Sequence, residues 1–249
     1  MCLIVVGWQA HADYPLVVAA NRDEFYARPT AQAARWSAAP QVIGGLDLEA
    51  GGTWLGITET GRFAAVTNVR EPNLNKGASS RGNLTHDFLL SAISATDYAG
   101  QLDGSRYSGF NLLLCDGDSL VYCSNRDGQP RSLAPGIYGL SNHLLDSPWP
   151  KLVQAREKFA QALPQLPDET AFFELLADQT IVADHALPRT GVALDWERLL
   201  SAVFVKSENY GTRASTVVWQ RSDGLIKLHE QSFGPHGQAL QSSVISTSV

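Results

Sequence analysis

Short apolar runs separated by turn residues fill the first hundred positions of the chain. Residues 3–8 and 16–20 are apolar and rich in β-branched side chains, and the segment between them carries polar residues and a proline. A second pair of runs, 53–57 and 62–67, is separated by Thr-Glu-Thr-Gly, which supplies a turn glycine. The pattern predicts two β-hairpins in this part of the chain.

The apolar period changes from that of a strand to that of a helix after Asn83. Apolar side chains recur every three or four residues from Leu84 to Ile93, a spacing that places them on one face of a helix. Similar spacing predicts helices over 152–163 and 169–177. These three segments therefore add helices to a chain that otherwise has a strand pattern.

Two more hairpins are expected in the second half of the chain. Apolar runs within 110–123 are joined by Asp-Gly-Asp, and those within 215–230 are joined by Ser-Asp-Gly. No internal repeat, linker or break in composition divides the sequence. We therefore expect one α/β domain over residues 1–240 and a flexible, serine-rich tail over 241–249.

Composition narrows the class of protein. The chain has 249 residues, with 25 acidic and 19 basic side chains, and hydrophobic residues make up 44%. This is enough apolar material for a sizeable core, and the charge density is too low for intrinsic disorder. The basic residues are scattered, so no nucleic-acid-binding surface is expected. No apolar run approaches the roughly 20 residues that span a bilayer, so we expect no membrane span.

The cysteines and the first residues indicate a reducing compartment. Cys2, Cys115 and Cys123 form an odd, sparse set without Cys-x-x-Cys spacing, which fits neither a disulfide framework nor a zinc site. The first residues lack the basic region of a secretory signal, and polar residues follow the apolar run at once. We therefore expect a cytoplasmic protein.

Common catalytic signatures are absent from the sequence. It contains no dinucleotide-binding, P-loop, nucleophile-elbow or zincin motif. The six histidines are never two or four residues apart, so a metal site could only be assembled from distant segments. We therefore predict no metal and no cofactor.

The cysteine at position 2 is the residue with the clearest catalytic potential. It follows the initiator methionine, and removal of that methionine would leave a thiol and a free α-amine on the same residue. An α-amine titrates near 7.7–8.0, so it can accept the thiol proton at working pH. Cys2 could then act as a nucleophile that carries its own base. The alternative is a buried cysteine that opens an edge strand.

Register arithmetic brings a polar cluster to Cys2. If Trp8 and Pro15 face each other across the first hairpin, paired positions sum to 23, and Cys2 lies opposite Asn21 within an error of about two residues. The run Asn-Arg-Asp-Glu at 21–24 then reaches the thiol. Its arginine could lower the thiol pKa, and either carboxylate could orient the α-amine. A purely structural arginine–carboxylate cluster is the alternative.

Several long motifs resemble those of a known family. They are MCLIVV, AANRDEFYARPT, GGTWLGITETGRFAAVTNVREP, SRGNL, GFNLLL, YGLSNHLLDSPWPKL and NYGTRASTVV. Together they resemble the NRDE family, whose eukaryotic members are called Transport and Golgi organisation 2 proteins, and the resemblance covers nearly the whole chain. More distantly, the sequence is similar to the choloylglycine hydrolase and penicillin V acylase group of N-terminal nucleophile hydrolases. That resemblance implies an α/β fold in the form of a four-layer αββα sandwich, and cleavage of amide bonds by an N-terminal cysteine.

The resemblance also assigns roles to individual residues. Cys2 matches the nucleophile, Asn142 the oxyanion-hole asparagine, and Arg213 the arginine that closes the site. The hydrolases have an acidic residue three positions beyond their arginine, whereas here Asp23 adjoins Arg22 and Glu24 lies two positions away. The choice between the two carboxylates therefore stays open. The predicted catalytic set is Cys2, Arg22, Asp23, Asn142 and Arg213, and the predicted substrate-binding set is Asn21, Glu24 and Asn68.

Some of these assignments have a structural alternative. Asn68 and Asn142 follow predicted strands and could simply terminate them. Arg70 is a weaker candidate, because Val-Arg-Glu-Pro is typical of a solvated loop. Trp54 and Trp149 adjoin motif residues, but aromatic residues in such blocks usually belong to the core.

Two functions compete at this point. The first is hydrolysis or acyl transfer on a small amide through a Cys2 thioester, which requires removal of Met1. The second, which the family resemblance implies, is a carrier of haem or another cargo, in which an unprocessed chain could use the thiolate or a histidine as axial ligand. A scaffold for partner proteins would leave the polar cluster near Cys2 without an explanation. The sequence leaves the oligomeric state open.

Overall fold

Two antiparallel β-sheets form the centre of the molecule. The computed structural model describes residues 2–72 and 77–248. Within these ranges the strands are β1 (Cys2–Trp8), β2 (Leu16–Phe25), β3 (Thr30–Trp36), β4 (Ala39–Asp47), β5 (Leu55–Thr58), β6 (Phe63–Asn68), β7 (Phe110–Cys115), β8 (Leu120–Ser124), β9 (Arg131–Ser132), β10 (Gly136–Leu140), β11 (Tyr210–Gln220), β12 (Leu225–Phe233) and β13 (Ala239–Ser248).

The strands of each sheet come from different parts of the chain. The first sheet has the order β10-β1-β2-β11-β12-β13, and the second has the order β3-β4-β5-β6-β7-β8-β9. The first sheet therefore joins the two ends of the described chain, whereas the second is a meander of consecutive strands. This topology puts the start of β1 in the interior of a sheet, between β10 and β2.

Helices cover the outer face of each sheet. They are α1 (Gly82–Leu90), α2 (Ala95–Gln101), α3 (Pro150–Ala162), α4 (Thr170–Leu176) and α5 (Leu194–Leu199). Buried side chains of α1 and α2 pack on the second sheet, and those of α3 and α4 pack on the first. A third apolar cluster fills the space between the sheets. The layers are therefore αββα, as the family resemblance implied.

The alternation along β1 shows why its sequence is apolar throughout. Ile4 and Val6 belong to the cluster between the sheets, whereas Leu3 and Val5 pack against the helices. A strand that is buried on both faces has a continuous apolar run in place of an alternating one. The same two-sided burial makes the register of β1 important, because a slip of one residue exchanges the two faces.

The first hairpin forms as predicted, with a register that differs by one position from the expected one. The backbone N–H of Gln9 donates to the carbonyl of Pro15 at 2.7 Å, and Trp8 pairs with Leu16. Paired positions therefore sum to 24, and Cys2 lies opposite Arg22 where the arithmetic had placed Asn21.

The other predicted hairpins and helices are present, and β2 continues through Phe25. The sequence analysis did not predict β3 and β4, since their apolar residues are interrupted by glutamine, arginine and proline. The serine-rich end, expected to be a tail over 241–249, instead pairs with β12 through residue 248. Its attachment includes a hydrogen bond from Ser243 Oγ to the carbonyl of Ala33 at 2.8 Å. No helix among the described residues is long and apolar enough to cross a membrane.

Candidate active site

A pocket of about 410 Å³ opens where β1 begins and where β2 and β6 end. The wall includes a reactive thiol, charged side chains and an amide, with Trp54 beside them: Cys2, Arg22, Asp23, Glu24, Arg28, Asp47, Asn68 and Arg81. Five of the eight sequence candidates, Cys2, Arg22, Asp23, Glu24 and Asn68, are therefore brought to one cavity.

Cys2 presents its thiol on the same face of the sheet as Arg22, because the two residues are directly opposite in the antiparallel pair. Cys2 is partly exposed, whereas Cys115 and Cys123 are buried. Burial raises the pKa of the Cys2 thiol, the negative charge of Asp23 adds to the increase, and Arg22 and a hydrogen bond from the Asp23 backbone N–H oppose it. We had expected Arg22 to lower the thiol pKa, and here burial outweighs it. A separate base is therefore needed to generate the thiolate.

Arg22 is held rigidly beside the thiol. Its guanidinium lies 4.2 Å from the centroid of the Trp54 ring, donates to Thr30 Oγ1 at 3.2 Å and lies 4.0 Å from Asp47 Oδ2. The side chain is only 6% exposed. A buried arginine of this kind is a fixed positive charge at the pocket wall.

Trp54 can occupy its place under Arg22 because position 45 is a glycine. A Cβ atom built on Gly45 would overlap the six-membered ring of Trp54. The indole therefore lies directly on the backbone of β4. This contact fixes the distance between the β4 backbone and the Trp54 ring on which the Arg22 guanidinium stacks.

Asp23 and Glu24 point in different directions, and this distinguishes the two carboxylates. Asp23 is 1% exposed, and its Oδ1 accepts a hydrogen bond from Thr212 Oγ1 at 2.8 Å. Burial raises the pKa of Asp23, and the charge of Lys151 opposes the increase. Glu24 instead accepts from the backbone N–H of Phe25 at 2.9 Å. Asp23 is the carboxylate whose charge acts on the Cys2 thiol.

Asn21, predicted to bind substrate, lies outside the lining of the Cys2 pocket and is hydrogen-bonded within the protein. Its side-chain nitrogen donates to the carbonyls of Leu176 and Val203 at 2.8 and 2.9 Å, and its oxygen accepts from Ser215 Oγ at 2.6 Å. The one-residue change in register places Asn21 on the helix side of the sheet. There it ties the segment after α4 to β2.

Asn142 lies directly behind the pocket wall and contacts Cys2. Its Oδ1 is 3.4 Å from the Cys2 main-chain nitrogen, and its Nδ2 donates to the carbonyl and to Oδ1 of Asn68, both at 3.0 Å. The loop after β10 holds it there, since Thr67 Oγ1 donates to the carbonyl of Ser141 at 2.6 Å and the Arg70 N–H donates to that of Asn142 at 2.7 Å.

Asn68 has the pocket-facing amide. The two oxygens to which Asn142 Nδ2 donates are the carbonyl oxygen and Oδ1 of Asn68. The Nδ2 of Asn68 has no hydrogen-bond acceptor among residues 2–72 and 77–248. Asn68 lines the pocket together with Cys2. Of the two asparagines, Asn68 therefore has the donor that is available to a bound molecule.

Arg213 supports the site from outside and does not close it. It occupies the irregularity in the pairing of β11 with β2 between Thr212 and Ala214. Its Nη1 donates to the carbonyls of Phe25 and Arg28 at 2.9 and 3.0 Å. The guanidinium therefore braces the loop after β2, and the expected role at the Cys2 pocket is not what the geometry gives.

Two cations near the site are buried, which the sequence analysis did not predict. Lys151 in α3 is 4% exposed and donates to the carbonyl of Leu200 at 2.8 Å. Burial lowers its pKa to about 8, with the charge of Asp23 opposing the change. Arg70, expected in a solvated loop, is also buried and pairs with Glu197 at 2.6 Å. A lysine in a helical pattern and an arginine before a proline carry no local sign of burial.

Arg81 immediately precedes α1, and it is a further cation in the wall of the Cys2 pocket. Its Nη1 donates to the carbonyl of Gly109 at 3.1 Å. Burial lowers its pKa, and the charge of Cys2 opposes the change. Within the described part of the chain no carboxylate lies within ion-pair distance of it. The described residues also contain no cluster of three or more histidine, cysteine or acidic side chains that could hold a metal ion.

Known proteins share this fold at low sequence identity. The conjugated bile acid hydrolase from Clostridium perfringens superposes with a TM-score of 0.53 at 10% identity, covering 98% of this chain and 92% of that one. A Caenorhabditis elegans orthologue of N-acylethanolamine-hydrolyzing acid amidase gives 0.52 at 13% identity, covering 87% and 92%. The αββα sandwich is therefore that of N-terminal nucleophile hydrolases.

Sequence relatives are much closer. The Transport and Golgi organization protein 2 homologues of Bos taurus and Homo sapiens are 40% and 37% identical, each aligned over 88% of this chain and 87% of the relative. The Drosophila melanogaster protein is 30% identical over 90% of this chain. Residues 1–235 match the family described as Transport and Golgi organisation 2. With its relatives, its motifs and its fold in agreement, this chain belongs to the Transport and Golgi organisation 2 family.

Proposed function

We propose that this protein is an amidohydrolase or acyltransferase that uses Cys2 as an N-terminal nucleophile after removal of Met1. The observation that carries the proposal is the 3.4 Å contact between the Cys2 main-chain nitrogen and Asn142 Oδ1, made while the thiol faces a cavity. A free amine at this nitrogen would be held by an acceptor within reach of its own thiol.

The raised pKa of the thiol supports this assignment of the base. Burial keeps the sulfur protonated, so attack requires a group that removes the proton. The α-amine has an ordinary pKa near 7.7–8.0 and would lie on the same residue. Asn142 would orient it, and the buried Asp23 carboxylate would stabilise the ammonium that forms.

The reaction proceeds in two steps. The sulfur attacks the amide carbonyl, a C–S bond forms, and the thiol proton passes to the α-amine and then to the departing amine as the C–N bond breaks. Water, or an acceptor amine or alcohol, then attacks the thioester and regenerates the thiol. In this proposal the Asn68 amide, which has no other acceptor among the described residues, donates to the oxyanion in both steps, a contribution of about 3 kcal/mol in comparable sites.

Pocket size and charge indicate the substrate class. A cavity of about 410 Å³ suits a small molecule. The wall carries the carboxylates of Asp23, Glu24 and Asp47 as well as its arginines, and Arg22 lies within ion-pair distance of Asp47. Arg81 has no such partner among the described residues, so it favours an amide that carries a carboxylate, such as an N-acyl amino acid. The names of the two structural neighbours, a hydrolase and an amidase, agree with cleavage of an amide.

Intact-mass spectrometry followed by a substrate screen tests the proposal. We expect the purified chain to begin at Cys2 and to hydrolyse N-acyl amino acids faster than the corresponding neutral amides. Cys2→Ala should abolish turnover, while Cys123→Ala, the matched change at a buried cysteine, should retain it. Retention of Met1 together with saturable haem binding and no turnover would overturn the proposal and support the carrier function.

A further inference from the structure

A serine, a histidine and a glutamate are hydrogen-bonded in series on the helix side of the first sheet. Ser242 Oγ lies 3.1 Å from His229 Nε2, and His229 Nδ1 lies 2.7 Å from Glu169 Oε2. The three residues come from β13, β12 and the position before α4. In a catalytic triad the same order of contacts joins the nucleophile, the general base and the acid that orients the base.

The environment of Glu169 determines how the protons are arranged. Glu169 is 8% exposed, and its Oε1 accepts from Trp219 Nε1 at 2.7 Å and pairs with Lys227 Nζ at 3.1 Å. An oxygen of a carboxylate that already holds these donors is an acceptor for a ring N–H. The tautomer of His229 with its proton on Nδ1 satisfies this contact and leaves Nε2 as the acceptor for the Ser242 hydroxyl.

The amide of Gln231 holds the strand that carries the serine. Gln231 is directly opposite Ser242 in the pairing of β12 with β13, so the two side chains project from the same face. Gln231 Nε2 donates to the carbonyls of Ser232, Leu240 and Gln241 at 3.0, 3.3 and 3.2 Å. These contacts tie the start of β13 to β12 and keep Ser242 beside His229.

Two members of the array, His229 and Glu169, line a cavity of about 620 Å³, and Ser242 lies beside this cavity at hydrogen-bond distance from His229. His229 and Lys227 line one side of it, and Pro167 and Phe173 provide an apolar surface. The Phe173 ring centroid is 4.6 Å from that of His229. A small ester could place its apolar part against Phe173 and its carbonyl near the histidine.

This array is distinct from the Cys2 pocket. Three strands separate β1 from β13 in the sheet, so at about 4.8 Å per strand the two sites are roughly 19 Å apart. They also lie on opposite faces, because Cys2 faces the second sheet while His229 contacts the residue that precedes α4.

We propose that Ser242 is a second, independent nucleophile that hydrolyses small carboxylic esters. His229 Nε2 takes the hydroxyl proton as Oγ bonds to the carbonyl carbon, and returns it to the alcohol oxygen as the C–O bond breaks. Water then hydrolyses the acyl-serine, with the histidine acting again as base. Glu169 is a positioning residue that fixes the tautomer and orientation of the ring.

Covalent labelling of the full-length protein with a fluorophosphonate tests the proposal. Ser246 is the matched control, because it is exposed, lies on the same strand and projects from the same face. Peptide mass spectrometry should show Ser242 modified at least tenfold faster than Ser246, and His229→Ala should reduce the Ser242 rate to that of Ser246. Acetylation by p-nitrophenyl acetate should map to the same serine.

Equal labelling of the two serines in the wild-type protein would overturn the proposal without the use of any variant. So would a Ser242 rate that His229→Ala leaves unchanged. Both measurements report on Ser242 alone, so their outcome does not depend on whether Cys2 hydrolyses an amide.

Discussion

Cys2 and Arg22 lie directly opposite each other on β1 and β2, and both project into the same pocket. The arginine is fixed by Trp54 and Thr30, so its charge stays beside the sulfur. Burial nevertheless raises the thiol pKa. The Cys2 sulfur is therefore protonated at rest, and the Arg22 guanidinium stabilises the thiolate once the proton leaves.

Iodoacetamide should modify Cys2 well before either of the other cysteines. Cys2 is partly exposed, whereas Cys115 and Cys123 are buried, and burial raises the pKa of each of these two thiols to about 12. The measurement is the rate of alkylation at each position by peptide mass spectrometry. Equal rates at the three cysteines would contradict the structure.

Replacing Arg22 with alanine should move the pH profile of Cys2 alkylation to higher pH. The arginine lowers the thiol pKa against the effect of burial, so its removal raises that pKa further. Arg35→Ala is the control, since Arg35 forms an exposed pair with Glu59 on the surface. An identical profile for wild type and Arg22→Ala would show that the guanidinium does not act on the sulfur.

Asn68→Ala and Asn142→Ala should affect turnover differently. Loss of the pocket-facing amide of Asn68 should lower kcat by roughly 10²–10³ with little change in KM, because the donor acts on charge that develops during reaction. Loss of Asn142 removes the group that contacts the Cys2 nitrogen, so it should also alter the pH dependence of kcat. The check is a pH series of kcat and KM on any amide found in the screen, and a loss confined to KM would argue against both roles.

Stability should depend on pH through Lys151. Its pKa is about 8 in the folded protein and near 10.5 in an unfolded chain, so between these values the unfolded state binds more protons and stability rises with pH. Relative to Lys151→Met, the wild type should gain about 2–3 kcal/mol between pH 7 and pH 10 at 1.36 kcal/mol per unit. Denaturant unfolding at the two pH values measures this, and a constant difference would show that the ammonium is solvated.

Breaking the buried ion pair between Arg70 and Glu197 should be costly. Glu197→Gln removes the carboxylate charge that faces the buried Arg70 guanidinium, and breaking such a buried pair typically costs about 3–5 kcal/mol. Asp195→Asn on the same helix is the control, because Asp195 is 93% exposed and should change stability by less than about 1 kcal/mol. Similar denaturation midpoints for the two variants would contradict this account.

Local patterns were sufficient for much of the fold. Apolar runs around a polar, proline-containing segment predicted the hairpin of β1 and β2, and apolar periodicity predicted the helix α1, since these depend on contacts between nearby residues. The strands β3 and β4 were missed because their alternation is broken by polar residues and a proline. The end of the chain was expected to be a tail because its serine-rich sequence lacks an apolar strand pattern, yet it forms a hairpin with the neighbouring strand β12. Its contact with Ala33, 210 positions away, has no local signal.

Sequence motifs predicted which segments form the candidate site, but not the direction in which each side chain projects or whether it is buried. The motifs brought Cys2 and Arg22 together correctly, but the side on which Asn21 projects depends on one residue of register that turn composition did not reveal. The burial of Arg70 depends on Glu197, 127 positions later. The direction of Arg213 follows from an irregularity in β11 that has no sequence signal.

The close approach of Trp54 to the backbone at Gly45 has a consequence for how this site can evolve. Because the indole fills the space that any side chain at position 45 would need, a larger residue is compatible there only with a smaller one at position 54. The two positions should therefore vary as a size-compensated pair. A relative in which the sizes were exchanged would lack the aromatic ring on which the Arg22 guanidinium stacks beside Cys2.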